Sequence, residues 1–291
     1  MKRILFFVVI FALFSCNRSQ SDNNDRIITV SIAPFRYFVE AISGDDFKVN
    51  IIVPPGSNPH IYEPVPDQIN KLSRSEAFIS NGFLGFEMAW LDRFYEINTE
   101  MMHLSLGDII VPVAEDHGDK GEHTEGADPH YWVSPKCALL IAASIKELLV
   151  HLNPSEEEKY RINYSKLVED IEEVDRKADS LFAEVSNRSF MIYHPNLAYL
   201  ARDYDLTEIA VEFEGKEPSP SRVKEIIDFA RKDNLKTIFV QKEFDDKNAK
   251  AIAHEIGAEI IVIDPLSEEW LESVVLIINS LHKSFIISQK Q

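Results

Sequence analysis

Residues 153–186 read NPSEEEKYRINYSKLVEDIEEVDRKADSLFAEVS, and this stretch decides the architecture. Tyr160, Tyr164, Leu167, Ile171, Val174, Ala178, Leu181 and Val185 recur at intervals of three and four residues, the spacing that lines one face of an α-helix. One seam therefore faces a core along the whole segment. Asn153, Pro154 and Glu156 place a capping residue, a proline at the first helical position and an acid at the third, a helix-start pattern. From Asn153 to Ser186 such a helix extends roughly 50 Å at about 1.5 Å per residue. It is predicted to be a rigid spine joining two lobes.

On both sides of the spine, short β-rich runs alternate with helical patterns. Before it come strands at Ile27–Ile32, Phe47–Val53, Ala77–Ser80 and Ile109–Val111, with helices near 35–42, 66–73, 86–95 and 135–149. After it come strands at Phe190–Tyr193, Leu206–Val211, Thr237–Val240 and Glu259–Ile263, with helices near 196–204, 221–232, 247–256 and 268–285. Such alternation predicts the α/β class with largely parallel sheets. The expected organisation is an N-terminal lobe over 26–151, the linking helix over 152–187 and a C-terminal lobe over 188–291, each lobe a small four-stranded sheet flanked by helices. Residues 114–128 interrupt the pattern with Gly, His and acids and almost nothing apolar, which reads as a mobile acidic loop.

The first residues read as an address. Lys2 and Arg3 precede an apolar run, Ile4–Phe14, and Ser15 stands before Cys16, the order of a secretory signal peptide over residues 1–15. The run is shorter than the roughly 20 residues a spanning helix needs. Leu13-Phe14-Ser15-Cys16 resembles a bacterial lipobox, which implies lipid on Cys16, a polar tether over 16–25 and an extracytoplasmic, membrane-anchored protein. The other cysteine, Cys137, then has no internal disulfide partner and opens an apolar helix, where it reads as a small buried hydrophobe. The formal charge is -18, and loss of Lys2 and Arg3 makes it more negative. Nucleic-acid binding, which runs on Lys and Arg neutralising phosphates, is disfavoured.

Four residues lie past predicted strand ends or in the loops that follow, two from each lobe: His60, His130, His194 and Asp264. Imidazole and carboxylate suit zinc and other borderline divalent ions, and three His plus one Asp fill a four-coordinate shell. His60 sits among prolines that stiffen its loop, Pro54-Pro55-Gly56-Ser57-Asn58-Pro59-His60. Asp264 also fits a turn or a helix cap. Within the acidic loop, His117 and His123 form a candidate weak metal-gathering site. His103, His151, His254 and His282 receive no functional role.

The motifs Pro59-His60-x-Tyr62-Glu63-Pro64, Asp128-Pro129-His130-x-Trp132-x-Ser134-Pro135, Tyr193-His194 followed by Tyr199-x-x-Arg202-Asp203-Tyr204, and Ile263-Asp264-Pro265-Leu266 resemble, in order and spacing, those of the zinc and manganese receptors among ABC-transporter solute-binding proteins. The resemblance covers nearly all of residues 27–275. It implies two α/β lobes joined by one long helix, a metal buried between them on His60, His130, His194 and Asp264, and docking of the loaded receptor onto a membrane permease. The 117–123 insertion matches in position the His-rich loop of zinc-selective members, but it is short.

The expected function is capture of zinc(II) as cargo and its delivery to an ABC importer by a monomeric, non-enzymatic lipoprotein. Manganese(II) or iron(II) is the alternative cargo. A zinc hydrolase is a remote alternative, since no His-Glu-x-x-His helix is present and Glu63 is the one candidate base beside the site. A surface adhesin is another. The spine restricts lobe motion, so small shifts are expected on metal loss. Because imidazoles bind metal only when neutral, affinity is expected to fall as pH drops through roughly 6.5.

Overall fold

The computed structural model describes residues 26–114, 126–212, 218–244 and 247–289. Residues 1–25, where a signal peptide, a tether and a lipid-bearing Cys16 are expected, lie outside the described residues, as do His117 and His123. The first half runs β1 (Ile27–Ile32), α1 (Ala33–Ser43), β2 (Lys48–Val53), α2 (Pro66–Leu72), β3 (Ala77–Ser80), α3 (Gly85–Ile97), β4 (Met102–Ser105), α4 (Pro135–Leu152) and α5 (Glu157–Ala183). The second runs β5 (Ser189–Ile192), α6 (Ala198–Asp203), β6 (Thr207–Ala210), α7 (Pro220–Lys232), β7 (Thr237–Gln241), α8 (Lys247–Ile256), β8 (Glu259–Ile263) and α9 (Trp270–Gln289). Two sheets result, ordered β2-β1-β3-β4 and β6-β5-β7-β8, and every pairing in them is parallel.

The two orders are the same: in each sheet the first strand is flanked by the second and third. Chain direction across the sheet therefore reverses between β1 and β3 and again between β5 and β7, and ligands of open α/β sheets sit beyond the carboxyl ends of the strands at such points. β1 and β3 are buried at every residue, as expected of central parallel strands covered on both faces.

The fourth strand differs from expectation. It is Met102–Ser105, with a 3₁₀ turn at Leu106–Ile109, and not Ile109–Val111. Met102-His103-Leu104-Ser105 is the less β-prone stretch by composition. Its pairing in register with Ala77–Ser80 outweighs that propensity, while Val111 is exposed.

The spine is present and shorter than its pattern. Residues 154–156 form a 3₁₀ turn, and α5 proper has 27 residues, about 40 Å at about 1.5 Å each. Asn153 does not cap it through its side chain: its amide donates to Tyr160 Oη (3.1 Å) and accepts from Ser155 Oγ (2.9 Å). The buried seam is Tyr160, Leu167, Ile171, Val174, Ala178, Phe182 and Val185. Phe182 replaces Leu181 because four residues on from Ala178 lie closer to one face of a 3.6-residue helix than three do at that point.

α5 packs on α1 and α4 of the first half and on α9 of the second. The larger of two buried apolar clusters among the described residues runs through both halves, from Phe35 and Phe38 through Trp132 and Ile171 to Phe190, Phe239 and Trp270, and the smaller, around Met191, Ile226, Ile238 and Ile252, lies within the second half. Trp270 packs on Phe38 with ring centroids 5.0 Å apart. Its Nε1 donates to the Trp132 carbonyl (2.7 Å), and Trp132 Nε1 donates to the Pro265 carbonyl (2.8 Å). Both bonds are buried and cross between the halves, so wide separation of the lobes would expose two indoles and leave their donors unpaired.

Candidate metal centre

His60 follows β2 in a loop built before the helix begins. Ser57 N donates to the Pro54 carbonyl (3.2 Å), Gly56 takes φ +80°, and Asn58 Oδ1 accepts from His60 N (2.9 Å), an Asx turn that sets the backbone just ahead of the imidazole. Gln68 anchors the far side. Its amide donates to the Ile52 carbonyl (2.7 Å), and its Oε1 accepts from Val65 N (2.9 Å) and Tyr62 Oη (3.2 Å). A Cβ at Gly85 would meet the His60 carbonyl at 3.1 Å, so the lack of a side chain there lets α3 approach this loop.

His130 is held by Asp128, two residues before it. Asp128 Oδ1 accepts from His130 N (2.7 Å) and lies 3.0 Å from His130 Nδ1. A carboxylate only accepts, so Nδ1 is the donor of this bond and Nε2 is the nitrogen left to take a metal. The segment is tied down on every side: Asn81 Nδ2 donates to the Pro129 carbonyl (2.9 Å), Tyr131 Oη to the Asn81 carbonyl (2.7 Å) and Tyr199 Oη to the Asp128 carbonyl (2.8 Å). Asn81 is itself positioned by Glu87, whose two oxygens accept from Asn81 N (2.7 Å) and Gly82 N (2.6 Å). Burial pushes the Glu87 carboxyl up to about 7 despite those amide bonds.

His194 follows β5 by two residues. Pairing continues past the strand ends, since Tyr193 N donates to the Phe239 carbonyl (2.8 Å) and Glu212 N to the Tyr193 carbonyl (2.7 Å). The second bond brings Glu212 beside His194, with Oε2 3.5 Å from Nδ1. Phe244 stacks on the imidazole face, centroids 4.2 Å apart at 17°.

The three imidazoles converge. Their ring centroids lie 5.3 Å (His60 to His130), 5.1 Å (His60 to His194) and 5.4 Å (His130 to His194) apart, and one ring nitrogen from each falls within 4.8 Å of the others. Nitrogens sharing one zinc at about 2.1 Å sit about 3.4 Å apart, so a contraction of at most about 1.4 Å closes the triangle. His60 Nε2 and both ring nitrogens of His194 are buried without a hydrogen-bond partner. Burial first, then the neighbouring His130 and His194, push the His60 imidazole down to about 2. Burial also lowers His194, against the opposing pull of Glu212. Convergent imidazoles with unpartnered nitrogens at His60 and His194 are what a divalent cation needs.

Over residues 28–281 the sequence matches the family described as zinc-uptake complex component A, periplasmic (ZnuA). The chain belongs to this family. The zinc-binding lipoprotein AdcA of Streptococcus pneumoniae (strain ATCC BAA-255 / R6) is 26% identical over 280 residues, which cover 91% of this chain and 56% of that protein. The chain thus spans about half the length of that curated relative. A putative metal-binding protein of Chlamydia trachomatis serovar D is 28% identical over 275 residues, covering 94% of this chain and 97% of the other. A ZnuA crystal structure with a 138–173 deletion and bound zinc has a TM-score of 0.83 at 34% identity, covering 90% of this chain and 98% of that one.

In this zinc-uptake family member Asp264 stands apart from the imidazole group. It follows β8, its Oδ2 accepts from Lys242 Nζ (3.0 Å), and its Oδ1 is buried without a partner. Glu63 is exposed. Cys137 is buried, its thiol pushed up chiefly by burial, and His103 bonds Ser80 Oγ (2.8 Å) and Tyr95 Oη. Two contacts were not read from the sequence. Asp128 was legible, because an Asp two residues before a histidine in Asp-Pro-His is an Asx turn in waiting. Glu212 was not: it lies 18 residues beyond His194 and reaches it only through the pairing of β5 with β6.

Proposed function

We propose that this chain is the extracytoplasmic receptor of an ABC importer, binding zinc(II) as cargo between its lobes through His60, His130 and His194 and handing it to a membrane permease. The observation that carries the reading is the convergence of three imidazoles, with His60 Nε2 and both ring nitrogens of His194 buried and unpartnered. Asp264 is the proposed fourth ligand, through its buried Oδ1, and lipid on Cys16 is the proposed anchor of a monomer. The lobes are taken as 26–151 and 188–291, with 152–187 linking them. Family membership supports uptake and not catalysis, and an exposed Glu63 supplies no positioned base.

Three nitrogens favour zinc over manganese, because the intrinsic affinity order puts manganese lowest and carboxylate and water suit it better. The test is metal content after purification without chelator, with zinc–manganese competition, for the wild type and His194→Ala. About one zinc per chain in the wild type, lost in the variant and not displaced by excess manganese, is the expected result. A metal-free wild type or an unaffected variant overturns the reading.

A further inference from the structure

Glu212 is 6% exposed, and its Oε2 is buried without a partner. It faces His194 Nδ1, also buried and unpartnered, across 3.5 Å. Two orphaned polar atoms of opposite hydrogen-bonding character thus meet about 0.5 Å beyond ordinary N–H···O distance. Elsewhere in the same site the equivalent contact is already made: Asp128 Oδ1 lies 3.0 Å from His130 Nδ1. Among the described residues no carboxylate stands in this way against His60.

The charges lead to the same place. Three neutral imidazoles bring no charge to a dication, and a buried dication needs compensation from nearby anions. Asp264 already shares its charge with Lys242. Among the described residues Asp128 and Glu212 are the buried carboxylates paired with the imidazole group, one behind each of two histidines.

We propose that Glu212 is the positioning residue of His194, its carboxylate accepting a hydrogen bond from Nδ1–H so that Nε2 faces the metal, and that with Asp128 it matches the double charge of the cargo. This rests on His194 being a ligand. A carboxylate behind a metal-bound imidazole fixes the tautomer, holds the ring and raises its basicity, and its loss costs about 10–100-fold in affinity. Phe244 lies on the ring face and Glu212 beside Nδ1, so both constrain the His194 ring.

The test is a zinc competition titration of the full chain against a chromophoric chelator for wild type, Glu212→Gln, Glu212→Ala and His194→Ala, with ¹⁵N NMR of the zinc-loaded histidines. Glu212→Ala is expected to weaken zinc about 10–100-fold. The isosteric Glu212→Gln, which keeps an acceptor and loses the charge, falls between it and wild type and serves alone if the alanine variant does not fold. The wild-type spectrum is expected to show His194 protonated at Nδ1 and metallated at Nε2. Zinc affinity within twofold of wild type in both Glu212 variants overturns the proposal, as does a His194 metallated through Nδ1 or a Glu212 oxygen bound directly to zinc. An unchanged His194→Ala overturns instead the ligand assignment beneath it.

Discussion

The two halves of the site differ in how finished they are. On the first sheet's side, His130 is bonded to Asp128 at backbone and ring, and its loop is stapled through Pro129, Tyr131 and Asp128 to Asn81 and Tyr199. On the second sheet's side, His194 has no hydrogen bond at either nitrogen, and Glu212 stands just out of reach. Both halves use the same device, a buried carboxylate behind an imidazole, but only one has it closed. Under the proposed function this asymmetry suits a cargo that must also be released: the half already bonded presents its ligand with little left to order, while the half with unmet polar groups has the more to gain from binding.

The largest effect tests whether the halves share one core. Trp132→Ala is expected to cost about 3–5 kcal/mol by chemical denaturation, in one transition; two separated transitions would show that the halves fold independently. Next, His130→Ala and His194→Ala are each expected to weaken zinc by more than about 100-fold, beyond the loss from any supporting carboxylate, as read by competition titration. A variant on the finished side that retained binding would reverse the assignment of roles.

Asp128→Ala is expected to weaken zinc by about 10–100-fold and to lower apo stability as well, since the backbone N–H of His130 loses its acceptor. The finished half is thus predicted to suffer in the empty protein too, where differential scanning would detect it.

The pH effect is smaller. His60 is held down to about 2 in the fold, so between that value and 6.5 the unfolded chain binds the extra proton. The stability this residue contributes is complete above pH 6.5 and is lost as pH falls toward 2. Apo wild type is expected to lose on the order of 1 kcal/mol per pH unit below 6.5 more than His60→Asn; equal slopes would show that the ring is not buried in solution. The same shift corrects the expectation from free histidine: proton competition at His60 and His194 sets in below pH 6.5 and not at it. Smallest is Lys242→Ala. An exposed ion pair is worth about 0–1 kcal/mol, so freeing Asp264 is expected to raise zinc affinity less than about fivefold, and a decrease would argue against Asp264 as a ligand.

Much of this was legible along the chain. The seam of α5, the strands at Ile27–Ile32, Ala77–Ser80 and Glu259–Ile263 and the helix at Lys247–Ile256 follow from local periodicity, which short-range sterics and burial write directly into the residue order. Ile109–Val111 misled because its β-branched residues mimic a strand, whereas pairing with β3 chose Met102–Ser105.

The sequence by itself determined the α/β alternation, the spine and three histidines in proline-flanked loops, each a property of neighbours in the chain. Only the tertiary structure decided which groups meet at those histidines. Strand pairing carries Glu212 to His194, Lys242 takes an oxygen of Asp264, and the crossed bonds of Trp132 and Trp270 join the halves. Those contacts depend on sheet order and on packing between residues far apart in the chain, and no local pattern encodes them.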